Sequence, residues 1–501
     1  MALGGLVLWA AQGCDTPEPN VDPAPVPAPA PGWDDDETTK APDGAAAETA
    51  KTRSAPTAAG EPAHEILTQL VAGKHAPVRA HFDAAMDKAF STDAALETWW
   101  RNIIKQTGEF QRVFDTRHGI KGDTSSVTIT SYFATEPWDV AMEFDAAGKL
   151  SGIAVRTSDH PGLRAQTPKP PFDYTIRDTT FEGDGGNQMG GTLTLPKGPG
   201  PHPAVILISG SGSHDRDATV SGHRPFLLIA DTLTRGGFVV LRYDDRGVGD
   251  SKGDPTKDTI ESVAADAMKA VTFLKTRPEV DASRVGVVGH SIGGSVAPWV
   301  ATKTKCAFVV TLAGSTVSGV ELIPEQVGTL RLSEGRPAAV VDEIVAEQRK
   351  LVVLLAADAP AEEVDAALRA VAKANAKLAD KPTPAVEQAL QGVLRKQMSL
   401  PWYISFVKFD PAPHLKALKK PILMLHGSKD VVLPPELNRK PAEALLAGNG
   451  RARVETLPGL NHLFQTAETG AMSEYVLIDE TIAPQVLRIM TTWMREQAGL
   501  D

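Results

Sequence analysis

The 501-residue chain holds only two cysteines, Cys14 and Cys306, and they stand in unlike settings. Two such residues supply neither a disulfide framework nor a metal-ligand spacing. Cys306 opens the apolar run Cys306-Ala307-Phe308-Val309-Val310 and reads as a small core residue on a buried strand. A basic stripe is missing as well. The formal net charge is −11, with acids and bases mixed along the folded part, which argues against a nucleic-acid partner. The apolar start, Met1 to Trp9, is too short to span a bilayer. The glycine-rich stretch Ser209-Gly210-Ser211-Gly212-Ser213 lacks both a Gly-Lys-Ser/Thr ending and a Gly-x-Gly-x-x-Gly pattern, which argues against a nucleotide site.

What is present divides the chain. Its length exceeds one ordinary core and its apolar fraction, 42%, is that of a globular protein, so two folded domains and a tail are expected. Residues 1–14 end in Ala10-Ala11-Gln12-Gly13-Cys14 and resemble a bacterial lipoprotein signal in which Cys14 is the lipidated residue. That reading places the protein in the cell envelope, touching a membrane only through the lipid. The alternative is a disordered N-terminus on a cytoplasmic protein. Residues 15–62, built of Pro, Ala, Thr and acids, cannot bury enough apolar surface to offset ordering and are expected to be a disordered linker. From 63 to 156 helical spacing (Ile66, Leu67, Leu70, Val71, then Trp99 and Ile103) gives way to alternation in 126–133, 138–144 and 152–155. Helices followed by a meander predict a small α+β domain.

After Thr167-Pro168-Lys169-Pro170-Pro171 the texture changes to strands alternating with helices over 172–498. Residues 175–181 and 191–195 read as an antiparallel pair. The runs 204–208, 238–241, 285–288, 308–312 and 421–425 read as buried parallel strands, giving an α/β doubly wound, mostly parallel sheet. Between 319 and 406 the alternation breaks for a helix-like stretch rich in Ala, Leu, Glu, Lys and Arg. Such an insertion forms either a lid over the carboxyl edge of the sheet or a lateral packing element.

The chemistry-bearing signal is Val287-Val288-Gly289-His290-Ser291-Ile292-Gly293-Gly294, where a buried strand runs into Gly-x-Ser-x-Gly and a helix follows. Small residues on both sides let a serine occupy a strained turn and expose its hydroxyl, which makes Ser291 a candidate nucleophile. A serine hydroxyl needs a base, and the base needs an orienting acid. Asp430 lies on the loop after strand 421–425, at the edge where such sheets bind ligands, with Asp410 and Glu436 as competitors. His462, in Pro458-Gly459-Leu460-Asn461-His462, reaches the same edge before the last helix and stands ahead of His426, His290 and His414. A tetrahedral intermediate needs two donors for its oxygen, here the amides of Ile292 and Ser211.

Gly210-Ser211-Gly212 with Asp215-Arg216-Asp217, the stretch Leu241-Arg242-Tyr243-Asp244-Asp245-Arg246-Gly247-Val248-Gly249-Asp250-Ser251, the Ser291 turn, Asp430 and His462 together resemble the bacterial α/β hydrolases grouped with serine aminopeptidases and related esterases. Residues 63–156 resemble the small helix-plus-meander domain that precedes some of them. The resemblance implies the fold, nucleophile, acid and base roles for Ser291, Asp430 and His462, a small-molecule ester or amide substrate, and no metal or organic cofactor. It also implies that Arg242 to Ser251 holds the loop near the site. An ester is the first expectation, since it asks less leaving-group assistance than an amide. Acidic residues of the insertion lining the pocket would favour an aminopeptidase-like activity, and a binding protein on a hydrolase scaffold is the remaining alternative.

Overall fold

In the computed structural model, residues 60–121, 123–158, 160 and 163–500 are described. Cys14, the leader and nearly all of the linker expectation fall outside them. The chain divides into two units, which we treat separately.

In the first unit, helices Gly60–Val71 and Asp93–Thr107 lay apolar faces on an antiparallel four-stranded meander: β1 (Phe110–Lys121), β2 (Thr124–Phe133), β3 (Pro137–Phe144) and β4 (Leu150–Thr157). Thr92 caps the second helix, its hydroxyl accepting the Ala95 amide. Leu70, Leu96, Trp100, Phe133 and Phe144 share the core. The alternation pattern leads to β2, β3 and β4 but misses β1. That strand is an edge with two register irregularities, and none of its residues Phe110 to Ile120 is fully buried, so no apolar alternation marks it.

The second unit is organised by strands buried on both faces. Successive residues of β7 (His202–Ile208) enter opposite cores: Ala204, Ile206 and Ile208 pack with the helices Ile260–Lys275 and Ile292–Thr304, while Val205 and Leu207 meet Pro225–Arg235 and Pro484–Ala498. This period of two applied to an unbroken apolar run is what a sheet covered on both sides demands. With β5 (Thr175–Glu182), β6 (Gln188–Leu195), β8 (Val239–Tyr243), β9 (Val280–His290), β10 (Val309–Leu312), β11 (Ile422–Gly427) and β12 (Ala452–Leu457), the sheet has eight strands in the order β12-β11-β10-β9-β7-β8-β6-β5. Six neighbours, from β12 through β8, are parallel; β6 runs antiparallel to both β8 and β5.

Between β10 and β11 the chain leaves the sheet for six helices, Gly319–Ser333, Ala338–Ala356, Ala361–Ala376, Pro384–Met398, Pro401–Lys408 and the short Ala412–Ala417. Ser318 opens the first with a capping box, its hydroxyl accepting the Glu321 amide while Glu321 returns to the Ser318 N–H. Ile323, Val327, Ile344, Leu351, Leu368 and Val371 join these helices to the core that carries the helix after β9.

Candidate active site

The turn after β9 is built by contacts that only glycine permits. A Cβ on Gly289 would stand 2.1 Å from the Gly293 carbonyl oxygen, and one on Gly293 would stand 2.2 Å from the Ile208 oxygen. Ser291 between them has φ 55° and ψ −120°, a conformation unfavourable to an L-residue outside a strained turn. Its amide donates to the Leu312 carbonyl at the end of β10 (2.8 Å), which holds the turn to the neighbouring strand. The Ser291 hydroxyl then lies 3.1 Å from His462 Nε2, and His462 Nδ1 lies 2.8 Å from Asp430 Oδ2. All three residues are buried. The other Asp430 oxygen, Oδ1, accepts the amides of Val432 (2.9 Å) and Leu433 (2.7 Å), so the carboxylate is fixed from both ends.

None of the competing residues is hydrogen-bonded to Ser291 or His462 through a side-chain carboxylate or serves as the base facing Ser291. Asp410 accepts the Ala412 amide, and Glu436 is exposed in the first turn of Pro435–Leu446. His414 stacks on Trp299 with ring centroids 4.9 Å apart. His426 is fully buried, and burial brings its imidazole down to about 4. Burial likewise, with the neighbouring His462 adding to it, brings His290 down to about 3. Neutral His290 faces the His462 carbonyl through Nε2 at 2.9 Å, and because a carbonyl only accepts, Nε2 must carry the proton. His290 therefore braces the backbone of the residue that meets Ser291. Nothing in the sequence marks that role, because it depends on a contact between the ends of two strands far apart in the chain.

The loop after β7 is tied down in the same way. His214 Nε2 lies 2.8 Å from the Ser211 carbonyl, and the Ser209 hydroxyl (2.9 Å) and the His214 amide (2.8 Å) donate to Asp245. Arg216 forms ion pairs with Asp244 and Asp250, and Arg242 with Asp217. The stretch from Arg242 to Ser251 thus anchors the loop, and its residues Tyr243, Asp245 and Arg246 also line the cleft beside it. A Cβ on Gly210 would stand 3.2 Å from Ser291 Cβ, so this loop passes directly beside the serine. The Ile292 amide, at the N-terminus of Ile292–Thr304, faces a region where aligned peptide dipoles favour negative charge. Ser291, Asp430 and His462 are thus brought together, with the loop of Ser211 and the helix start at Ile292 adjoining them.

Two clefts meet at this loop. One includes Gly210, Gly212, Asp245, Asp258 and Trp402 in its wall. The other runs from Ser211 and Val432 under the inserted helices. Burial pushes the Asp245 carboxyl up to about 7 against the His214 and Ser209 donors, with Asp266 and Asp244 adding to the rise. The folded chain therefore keeps a proton on Asp245 that the unfolded chain has already lost, and stability falls as pH rises from about 4 to about 7. In Asp245→Asn, which cannot ionise, the melting temperature relative to wild type should move upward by a few degrees between pH 5 and pH 8, as read by calorimetry. A flat difference would remove the buried proton.

The sequence profile of the alpha/beta hydrolase family matches residues 205–472, more than half of the chain. The esterase EstD of Thermotoga maritima is 26% identical over 411 residues, 81% of this chain and 88% of that protein. Human protein ABHD12B is 27% identical over 265 residues, covering 52% of this chain and 56% of its own length. Among solved structures, an esterase of Pyrococcus furiosus superposes with a TM-score of 0.40 at 16% identity, covering 65% of this chain and 92% of that one.

Proposed function

This chain belongs to the alpha/beta hydrolase family, and we propose that it is a serine esterase that cleaves carboxylic esters through Ser291, His462 and Asp430. The observation that carries the reading is the unbroken relay of hydrogen bonds from Asp430 through His462 to Ser291, at the carboxyl ends of the central strands. In the proposed reaction His462 Nε2 takes the Ser291 proton as Oγ bonds to the ester carbonyl. The carbonyl oxygen gains negative charge, which the Ile292 and Ser211 amides receive. Collapse of the tetrahedral intermediate breaks the bond to the alkoxy group, which leaves with the proton from His462. Water, deprotonated by His462, attacks the acyl-enzyme and releases the acid and Ser291. Asp430, hydrogen-bonded to His462 Nδ1, stabilises the imidazolium.

The relative EstD, named an esterase, lends support over most of the chain. Support also comes from the insertion, whose contributions to the two clefts are apolar residues, amides, Tyr403 and Arg331, with no Asp or Glu among the described residues. An aminopeptidase would want an acid of the insertion for the substrate ammonium; the acids of the first cleft, Asp245, Asp258 and Asp266, come from outside it. The test is hydrolysis of 4-nitrophenyl esters from acetate to palmitate by the purified protein, beside labelling with a fluorophosphonate. We expect labelling, and turnover that varies with acyl length as the clefts fill. Labelling without ester turnover would transfer the reading to aminoacyl amides, and absence of both would remove it.

A further inference from the structure

The cleft under the inserted helices contains one charged side chain among its lining residues, Arg331. It sits on the helix Gly319–Ser333 in register with Ile323, Val327 and Leu330, the same face that walls the cleft. Its side chain is only 4% exposed. Burying a guanidinium is expensive unless its donors are matched. Here the match is incomplete. Arg331 Nη1 meets Glu334 Oε2 at 3.1 Å, but Glu334 is about one-third exposed and its same oxygen also faces Arg336 Nε at 3.5 Å. Arg331 Nε is buried and has no hydrogen-bond partner among the described residues. The surrounding wall is mixed: Val327, Leu330, Met398 and Phe406 solvate no charge, while Gln326, Gln348, Asn375 and Gln397 bring amides, of which the first three donate to the Val432 carbonyl (2.8 Å), the Tyr403 hydroxyl (3.2 Å) and the Val371 carbonyl (2.9 Å).

The cleft reaches the neighbourhood of the reacting centre: Ser211 belongs to the loop beside Ser291, and the Val432 amide is one of two that hold Asp430. A substrate whose ester bond is presented to Ser291 can therefore extend along this cleft toward Arg331. We infer that Arg331 is a specificity-determining residue that receives a free carboxylate of the substrate, so that the preferred substrates are esters carrying a second, ionised carboxyl group. The inference rests on the esterase reading above. A planar carboxylate suits a guanidinium fork, and at a side chain only 4% exposed the pairing is little diluted by water. A rival account is that Arg331, in the last turn of its helix, serves only the helix dipole.

The test uses two matched pairs of esters: mono-4-nitrophenyl glutarate against 4-nitrophenyl pentanoate for the acyl side, and 4-acetoxybutanoate against butyl acetate for the alcohol side. We expect wild type to favour the charged member of at least one pair by roughly tenfold or more in kcat/KM. In Arg331→Met that preference should vanish or reverse while the uncharged member changes by less than about threefold, which also shows that the variant is folded. Glu334→Gln, which removes the competing acid from outside the cleft, should raise the preference. No preference in wild type, or an equal fall for both members in Arg331→Met, overturns the inference. Should Arg331→Met not fold, a preference unmoved by Glu334→Gln does the same. Failure of the esterase reading would look different: no turnover of any of the four esters and no fluorophosphonate labelling. Calorimetric binding of glutarate to wild type and Arg331→Met then decides the carboxylate site alone, with loss of binding in the variant upholding it and equal or absent binding overturning it.

Discussion

Ser291→Ala should lower kcat/KM for 4-nitrophenyl esters by a factor on the order of 10⁴ or more while leaving the melting temperature close to that of wild type. The two halves of that expectation have separate causes. The turn at residue 291 is held by its amide on the Leu312 carbonyl and by the glycine contacts on either side, none of which uses the hydroxyl. Alanine carries the same Cβ and the same penalty at φ 55°, so the backbone has no reason to move. The hydroxyl, by contrast, is the atom that would bond to the carbonyl carbon. Without it, His462 can only activate water that no turn positions, and what remains is the modest acceleration from oxyanion donors and binding. Initial rates at saturating and sub-saturating ester, with a thermal melt of both proteins, measure it. Activity within tenfold of wild type would strip Ser291 of the nucleophile role, and a large drop in melting temperature would mean that the hydroxyl has a structural part not visible in its contacts.

The sheet was legible because strands covered on both faces need unbroken apolar runs, and β7, β11 and the second half of β9, from Val285 to Val288, display them. The candidate serine was legible because strain at one residue forces small neighbours, and Gly289 and Gly293 are one-letter records of that force. Asp430 and His462 were nameable only against competitors. Asp410 and His414 carry the same functional groups, and chain order and loop position rank them behind without placing them; the Ala412 amide and the Trp299 ring occupy them. Arg331 was not legible at all. In an amphipathic helix a lone arginine reads as solvent-facing, and only the packing of the Gly319–Ser333 helix against its neighbours in the insertion places it inside. β1 escaped for the opposite reason: it is a real strand with no buried position to betray it. Patterns in sequence report which residues are covered, and they fail where coverage is partial or is supplied by elements distant in the chain.

Gly293→Ala should damage the fold itself, by something on the order of 3–5 kcal/mol, or roughly 10 °C in melting temperature. The added methyl would stand 2.2 Å from the Ile208 oxygen and 2.4 Å from the Ser209 oxygen, both backbone atoms at the end of β7. A flexible side chain could rotate away; these carbonyls cannot without pulling apart β7 and the helix after Ser291. Relief could come only from the loop Ser209 to His214, which is pinned by the Ser209 and His214 bonds to Asp245. Any chain that does fold should therefore have a displaced Ser211 amide and a kcat reduced beyond what the loss of stability explains, since oxyanion donors act within a few tenths of an ångström. Gly392→Ala supplies the control of opposite sign. That glycine lies inside the helix Pro384–Met398 with nothing within 4 Å of its added carbon, so the change should stabilise by about 0.5–1 kcal/mol through helix propensity. Measured side by side in urea, a fall at residue 293 with a rise at residue 392 would assign the loss to close backbone approach in the turn. Comparable small effects at both would mean that the strand and helix around Ser291 are looser than their contacts imply, and that the serine is not held by the turn.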